Sequence, residues 1–536
     1  MNQEKAWLKQ YPEFLTNDIE VPNQTLPEML GKKAVTYPDA HATSFYGQKL
    51  TYKELVAAID SFASSLQASG VEKGDRVAIM LPNCPHYVIA YYGILKAGAV
   101  VTQINPMSVD REITYFLNDS GAKAVVVFEA LYERVKKSES ETVETIIVVS
   151  FESSAVPGPD PSFDAFLANG KEEPKAVETN IEDVAVLQYT GGTTSLSKGA
   201  MLTHRNLMAN VIQNYLFFQE EIEIGQDKTL AVIPLFHVFG MTVCMNLGLY
   251  TASEVILLPR FDPEEVLKTI GEQRPGAFPA VPTMYVALNS HPLATKTDIS
   301  SIKICNSGSA PMPVEVMRSF EEKSGAKILE GYGLSEASPT THCNPAFAKK
   351  KPGSVGIGLP GTDYKVVDLA SGENEMKNGD LGEIIIRGPQ VMKGYWNKPE
   401  ETANALRDGW LYTGDIGRID DEGYLYIVDR KKDMIIASGE NIYPRDVEEV
   451  LYEHPAIKEA VVIGVPDAYR GETVKAYLVL HEGQTLEPKE VETYCRAHMA
   501  AYKIPRIVEF REELPKTNVG KILRKALREE ATTNQE

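Results

Sequence analysis

Between Leu50 and about Ser150, apolar residues keep a helical spacing in "YKELVAAIDSFASSLQASG" and then crowd into short β-branched runs, "RVAIML" and "KAVVVF". Helix, strand, helix, strand in that order predicts a layered α/β sheet. "KAGAVVTQINP" and "SGAKAVVVF" repeat the same punctuation, with a glycine closing a helix before a strand opens. "SSAVPGPDPSFDAF", Ser153 to Phe166, is rich in proline and polar residues and reads as a surface loop. A second α/β unit follows, in which one strand ends at "NSGSAP" and another at "EGYGLSE". From Gly353 to Asp429 the texture changes to turns and alternating strands, and "DDEG" between two such runs predicts a hairpin. After "DRKKDMII" helices such as "PRDVEEVLYEHP" interleave with strands such as "EAVVIGVP" over about a hundred residues, enough for a separate α+β domain.

The expected fold class is therefore α/β: a large N-terminal domain of two layered α/β subdomains plus a small β-rich subdomain, then an α+β C-terminal domain. The boundary is placed between residues 431 and 432, giving domains 1–431 and 432–536.

"LAVIPLFHVFGMTVCMNLGLYT", Leu230 to Thr251, approaches the length of a membrane span. Pro234 and Gly240 interrupt it, and Lys228 is the only basic residue close to either end. A buried strand running into a buried helix is the preferred reading.

At 536 residues the chain exceeds one ordinary core. Its 54 Lys and Arg against 74 Asp and Glu leave a net charge of −20, which disfavours nucleic acid and anionic lipid as electrostatic partners. The five cysteines show no metal-ligand spacing and fit a reducing compartment, and the N-terminus lacks an apolar signal segment, so a cytoplasmic location is expected.

The candidate chemistry begins at "YTGGTTSLSKGA", where an apolar run stops at glycines, hydroxyls and one lysine. A Walker loop needs glycine before the lysine and Ser or Thr after it, but Ser197 and Gly199 flank Lys198. What remains still suits a polyphosphate: glycines permit close backbone approach, hydroxyls donate and Lys198 supplies a cation. Taken alone, the stretch also reads as a polar turn. The GxGxxG at Gly356, Gly358 and Gly361 leads into a strand-like "DYKVVDLA" rather than a helix, so a dinucleotide reading lacks its context. Tyr332 offers a flat ring for a base, Glu336 a hard oxygen ligand and Asp415 a carboxylate for ribose hydroxyls; singly, each also reads as an ordinary surface or turn residue. Lys521 is expected to open a helix, a place that favours anions, which suits an anionic ligand there; in isolation the stretch reads first as a solvated lysine at a frayed helix end.

Taken in order, "YTGGTTSLSKG", "PLFHVFG", "NSGSAP", "EGYGLSEASP", "GDLGEIIIRGPQVMKGYW", "GWLYTGDIG", "DRKKDMIIASGENIYP" and "PKTNVGKILRK" resemble the motifs of the adenylate-forming acyl-CoA synthetases, most closely the long-chain fatty acid CoA ligases. The resemblance runs from Leu50 to Leu527. It implies that Thr190, Gly191, Gly192, Thr193 and Thr194 with Lys198 hold the β and γ phosphates of ATP, and that Thr193 and Glu336 place magnesium. It implies an adenine site from Gly308, Ser309, Ala310 and Tyr332, with Gly331, Gly333 and Ser335 also among the cofactor-binding residues, and a ribose site from Asp415 and Arg430. His237, by itself a satisfied core imidazole in an apolar run, matches the histidine beside the acyl carboxyl, and Lys521 the adenylation lysine. Lys432 matches the hinge of a mobile C-terminal domain, with Ser438 and Gly439 brought to the thiol channel in the second half-reaction. Two positions depart from the pattern: Ser195 stands where the family usually has glycine, and Ser197 where it often has proline. Ser195 costs about 1 kcal/mol if its position requires a positive φ.

The implied activity is ATP-dependent conversion of a fatty acid to an acyl adenylate and transfer to coenzyme A, with ATP, Mg2+ and coenzyme A required. The apolar run Val238 to Tyr250 reads equally as an alkyl tunnel or as packed core. Rival readings are a fatty acyl-AMP ligase that loads a carrier protein, an aryl or medium-chain acid CoA ligase, and a degenerate acyl- or nucleotide-binding protein. Transient contact with a membrane surface and a homodimer are compatible partners; nucleic acid is not expected.

Overall fold

The computed structural model describes residues 5–151, 158–170, 173–190, 197–310, 312–437, 440–467, 470–516 and 522–533. They group into two compact units, one of residues 5–190, 197–363 and 387–409, the other of residues 364–386 and 410–533.

In the first unit the expected alternation is realised. Thr51 caps the helix Tyr52–Ala68: its hydroxyl accepts from the Glu54 amide, while the Glu54 carboxylate takes the Thr51 amide at 2.8 Å. Gly121, at φ 62°, ends the helix Asp110–Ser120 in the left-handed conformation, and the strand Ala122–Phe128 starts at the next residue. The resulting seven-stranded sheet runs in the order Gly394–Tyr395, Gly199–Thr203, Val184–Tyr189, Val100–Gln103, Arg76–Met80, Ala122–Phe128, Thr145–Val149. Pairing is parallel from Val184–Tyr189 to the Thr145–Val149 edge and antiparallel at the other two strands. Val77 to Met80 and Val125 to Val127 are fully buried, as strands covered on both faces must be.

The same unit holds a second sheet. Gln48–Thr51, His41–Phe45, Glu254–Leu257 and Lys228–Ala231 form one run, Ile304–Ser307, Lys327–Gly333, Thr340–Cys343 and Ile357–Gly358 another, and Ala277 bridges Thr229 to Ile304 between them. The apolar segment after Leu230 is indeed a strand running into buried helix, of which Gly240–Asn246 is π-helix and Leu247–Tyr250 α-helix. No helix among the described residues is long and apolar enough to cross a membrane. One expectation needs correction: Ser153 to Phe166 is not all loop, because Phe163 starts a helix to Asn169 whose Phe163 and Phe166 are buried, Phe163 stacking on Phe62 at 5.1 Å.

In the second unit the strand Trp410–Ile419 pairs antiparallel with Gly382–Arg387 on one side and Leu425–Arg430 on the other. "DDEG" makes the expected hairpin turn, the Asp420 amide donating to the Tyr424 carbonyl at 3.0 Å with Gly423 at φ 90°. A further sheet pairs Ile457–Asp467 with Gly471–Leu480, which joins Ile435–Ala437 and Ile507–Phe510. Helices Pro444–Tyr452, Pro488–His498 and Arg524–Thr533 complete it. The helix expected to open at Lys521 begins at Arg524, since Ile522 is still in an antiparallel bridge with Lys516. Lys521 lies outside the described residues.

Candidate active site

In the first unit the sheet edge builds the stem of the hydroxyl-rich loop. Val184–Tyr189 and Gly199–Thr203 are antiparallel, Tyr189 facing Gly199, and the Thr190 amide donates to the Lys198 carbonyl at 3.0 Å. Aromatic side chains brace this stem. The Tyr189 hydroxyl donates to Asp119 at 2.7 Å, the Tyr115 hydroxyl to the Ser197 carbonyl at 2.7 Å, and the Trp396 indole to the Asp119 carbonyl at 3.1 Å. Gly199 admits this crowding: a Cβ there would lie 3.4 Å from the Tyr189 ring and 3.5 Å from the Trp396 Cβ. Thr190 and Lys198 thus stand at the two ends of the loop. Gly191, Gly192, Thr193, Thr194 and Ser195 fall outside the described residues.

Lys198 and Glu336 meet on one side chain that motif reading did not single out. The Lys198 Nζ sits 5.0 Å from the centroid of the Tyr395 ring, and the Tyr395 hydroxyl donates to Glu336 Oε1 at 2.7 Å. Burial, then the neighbouring Glu336 carboxylate, holds the Tyr395 phenol far above its ordinary pKa, so it remains a donor throughout the physiological range. Ser335 and Glu336 lie in the 3-10 turn Ser335–Ala337, whose backbone is pinned from both sides. The Glu336 carbonyl accepts from the Met392 amide at 2.8 Å. Asn206, on the helix His204–Phe218, donates to the Pro389 and Val391 carbonyls at 2.8 and 2.9 Å, and Asn210 exchanges two hydrogen bonds with the Thr340 backbone, at 2.7 and 3.0 Å.

The expected adenine residues converge at two strand ends. Gly308 follows Ile304–Ser307, and a Cβ on it would lie 3.4 Å from the Phe239 ring and 3.9 Å from the Gly331 carbonyl. Ser309 adopts φ 70° and is exposed, as is Ala310. Tyr332 is half-buried opposite His342, ring centroids 6.0 Å apart. Gly333 has no alternative, because a Cβ would be 2.1 Å from the Pro339 carbonyl. His342 is fully buried, and desolvation takes its pKa down to about 3, so the ring is neutral.

His237 lies in the turn before the π-helix, its Nδ1 accepting the Phe239 amide at 3.2 Å. A neutral ring accepting at Nδ1 carries its proton on Nε2. Asn83 fixes the turn: its amide donates to the Ala231 and Ile233 carbonyls at 3.1 and 3.0 Å and accepts the Leu235 amide at 2.7 Å. Gln188, one residue before Tyr189, donates to the Phe236 carbonyl at 3.2 Å and so ties this turn to the loop stem. Gly240 is obligatory, since a Cβ would lie 2.4 Å from the Pro234 carbonyl. Every residue from Val238 to Leu249 is buried.

In the second unit Asp415 and Arg430 are cross-strand partners, Arg430 Nε lying 3.0 Å from the buried Asp415 carboxylate. Thr413, Gly414, Arg430, Lys431 and Lys432 line a cavity of about 300 Å3 with three cationic groups and a left-handed glycine at φ 70°. The Glu383 carboxylate accepts the Gly414 amide at 3.1 Å and pairs with Lys431 at 2.9 Å. Burial, then the Arg430 charge, lowers the pKa of Lys432. Ser438 and Gly439 are outside the described residues.

The AMP-binding enzyme family model matches residues 30–396, and the AMP-binding enzyme C-terminal domain model matches residues 446–521. The long-chain-fatty-acid--CoA ligase of Bacillus subtilis (strain 168) is 47% identical over 100% of this chain and 99% of its own. That of Yersinia pestis is 39% identical over 98% of each. The crystal structure of ATP-bound MatB from Rhodopseudomonas palustris superposes with a TM-score of 0.89 at 32% identity, covering 96% of this chain and 100% of that one. A braced hydroxyl loop with its lysine, a glycine-lined ring site and a buried aspartate among cations thus occur in a sequence that such relatives match end to end, and the chain belongs to the AMP-binding enzymes.

Proposed function

We propose that this protein activates a fatty acid with ATP and transfers the acyl group to coenzyme A, releasing AMP and pyrophosphate. The observation that carries the reading is the 47% identity, over the whole chain, to a long-chain-fatty-acid--CoA ligase. In this reading a carboxylate oxygen of the acid attacks the α-phosphorus of ATP, the bond to pyrophosphate breaks, and an acyl adenylate forms. The thiolate of coenzyme A then attacks the acyl carbonyl and AMP departs with the original carboxylate oxygen.

Residues 190–194 and Lys198 are assigned to the β and γ phosphates, Gly308 to Ala310 with Tyr332 to adenine, Asp415 with Arg430 to ribose, and Gly331, Gly333 and Ser335 to cofactor binding. His237 is assigned to the acyl carboxyl. The Asn83 and Gln188 contacts support this, since Asn83 fixes its turn and Gln188 anchors that turn to the strand that starts the phosphate loop. The donor set suits magnesium, a hard cation ordinarily held by one or two carboxylates plus substrate phosphates. Glu336 is the carboxylate assigned to it, with Thr193. When bound, the metal supplies charge neutralisation on the phosphates.

Residues 1–431 form the adenylation domain in this reading. Residues 432–536 form a domain that turns about Lys432, withdrawing Lys521 after adenylation and presenting Ser438 and Gly439 to the thiol. A cytoplasmic location belongs to the same proposal and is supported by five buried free thiols. The test is release of AMP and pyrophosphate across saturated acids of increasing chain length, with and without coenzyme A. Acid-dependent AMP formation completed only with coenzyme A is expected; ADP and phosphate as products would refute the reading.

A further inference from the structure

Lys198 and Glu336 carry opposite charges and both touch Tyr395, yet among the described residues neither has an ionic partner. A direct pair would neutralise both groups and leave neither for a ligand. Tyr395 occupies the place of that pair, presenting its ring to the ammonium and its hydroxyl to the carboxylate. We infer that Tyr395 is a positioning residue that holds the phosphate-binding lysine and the metal-binding glutamate apart and oriented, so that both charges are available when Mg·ATP arrives. This rests on the assignment of Lys198 and Glu336 given above.

The backbone supports a fixed placement of the ring. Tyr395 pairs with Ala200 at the sheet edge, and its amide donates to the Thr402 hydroxyl at 2.9 Å. The preceding Gly394 is at φ 146°, where a Cβ would lie 2.7 Å from Thr402 Cγ2. The single phenolic proton is committed to Oε1 of Glu336, which fixes the rotamer in which the carboxylate would meet a metal.

The experiment measures binding, apart from turnover. The dissociation constant of Mn2+ is read by electron paramagnetic resonance in the presence of a non-hydrolysable ATP analogue. Tyr395→Phe keeps the ring beneath Lys198 and loses the hydroxyl: we expect Mn2+ to bind about tenfold more weakly, the size of one hydrogen bond to a charged group. Tyr395→Leu removes the spacer as well, and nucleotide binding without metal should weaken too. Glu336→Gln and Lys198→Met serve as controls, and thermal melting checks folding; if Tyr395→Leu does not fold, Tyr395→Phe decides. Loss of Mn2+ binding in Glu336→Gln with unchanged metal and nucleotide binding in the Tyr395 variants would overturn this inference alone. Unchanged Mn2+ binding in Glu336→Gln would overturn the site assignment itself, and the inference with it.

Discussion

Single residues carry more of this site than their own motifs announce. Asn83 satisfies two carbonyls and one amide in the turn that bears His237. Asn83→Ala removes the side-chain partner of the Ile233 carbonyl and the Leu235 amide, while the Ala231 carbonyl keeps the Leu258 amide, a cost of about 2 kcal/mol or more. The expected outcome is a lower melting temperature together with a fall in kcat, measured by calorimetry and pyrophosphate release; an unchanged kcat would detach Asn83 from the His237 turn. His342 makes a pH prediction. Its folded pKa is about 3 against 6.5 in the unfolded chain, so between those values the unfolded state binds the extra proton. Its contribution therefore favours folding fully above about pH 6.5 and erodes as the pH falls toward 3, by up to about 1.4 kcal/mol per pH unit. Asp429, whose pKa burial raises to about 6, works in the opposite direction over the acid range, so the comparison must be between variants. Denaturant titrations of His342→Asn should show a shallower loss of stability between pH 6.5 and 4 than the parent chain; parallel curves would contradict the desolvated, neutral ring.

At the scale of elements, what was legible was local. Helix and strand alternation, glycine stops at Gly98 and Gly121, and the hairpin at Asp420 to Gly423 are written in neighbouring residues, and the structure realises them. The π-helical stretch Gly240–Asn246 was not legible, because helical periodicity does not separate one kind of helical turn from another. Nor was Tyr395: its partner Glu336 is 59 residues away, and only the folded sheet edge brings them together. The tail helix Arg524–Thr533 repeats the lesson. "GKILRKALR" reads as a basic helix face, but Arg524 Nη2 donates to both carboxylate oxygens of Glu448 at 2.6 and 2.7 Å, and Arg528 bonds Asp433 at 2.9 Å. Arg524→Met strands the mostly buried Glu448 carboxylate and should cost about 3 kcal/mol. A calorimetric scan should show the lowered transition; a melting temperature within a degree of the parent would mean the pair is worth little.

For the whole molecule, the family was readable because eight short motifs keep their order along the chain, and each is a local string. Distance was not readable: the residues that brace the site, Asn83, Gln188, Asn206 and Tyr395, come from segments that periodicity treats as ordinary core or edge. The division of labour between the two half-reactions also belongs to this scale. Lys521→Ala should lower adenylation about 100-fold or more, as removal of a charge from a developing phosphoryl centre does, while thioester formation from a supplied acyl adenylate continues. Equal losses in both half-reactions would contradict a lysine used in only one.

The central claim is that the acid's own oxygen becomes bonded to the α-phosphorus. A fatty acid labelled with 18O in its carboxylate, turned over with ATP and coenzyme A, tests this directly by mass spectrometry of the nucleotide product. The account predicts one 18O atom in each AMP released. Unlabelled AMP, or label appearing in inorganic phosphate, would contradict it.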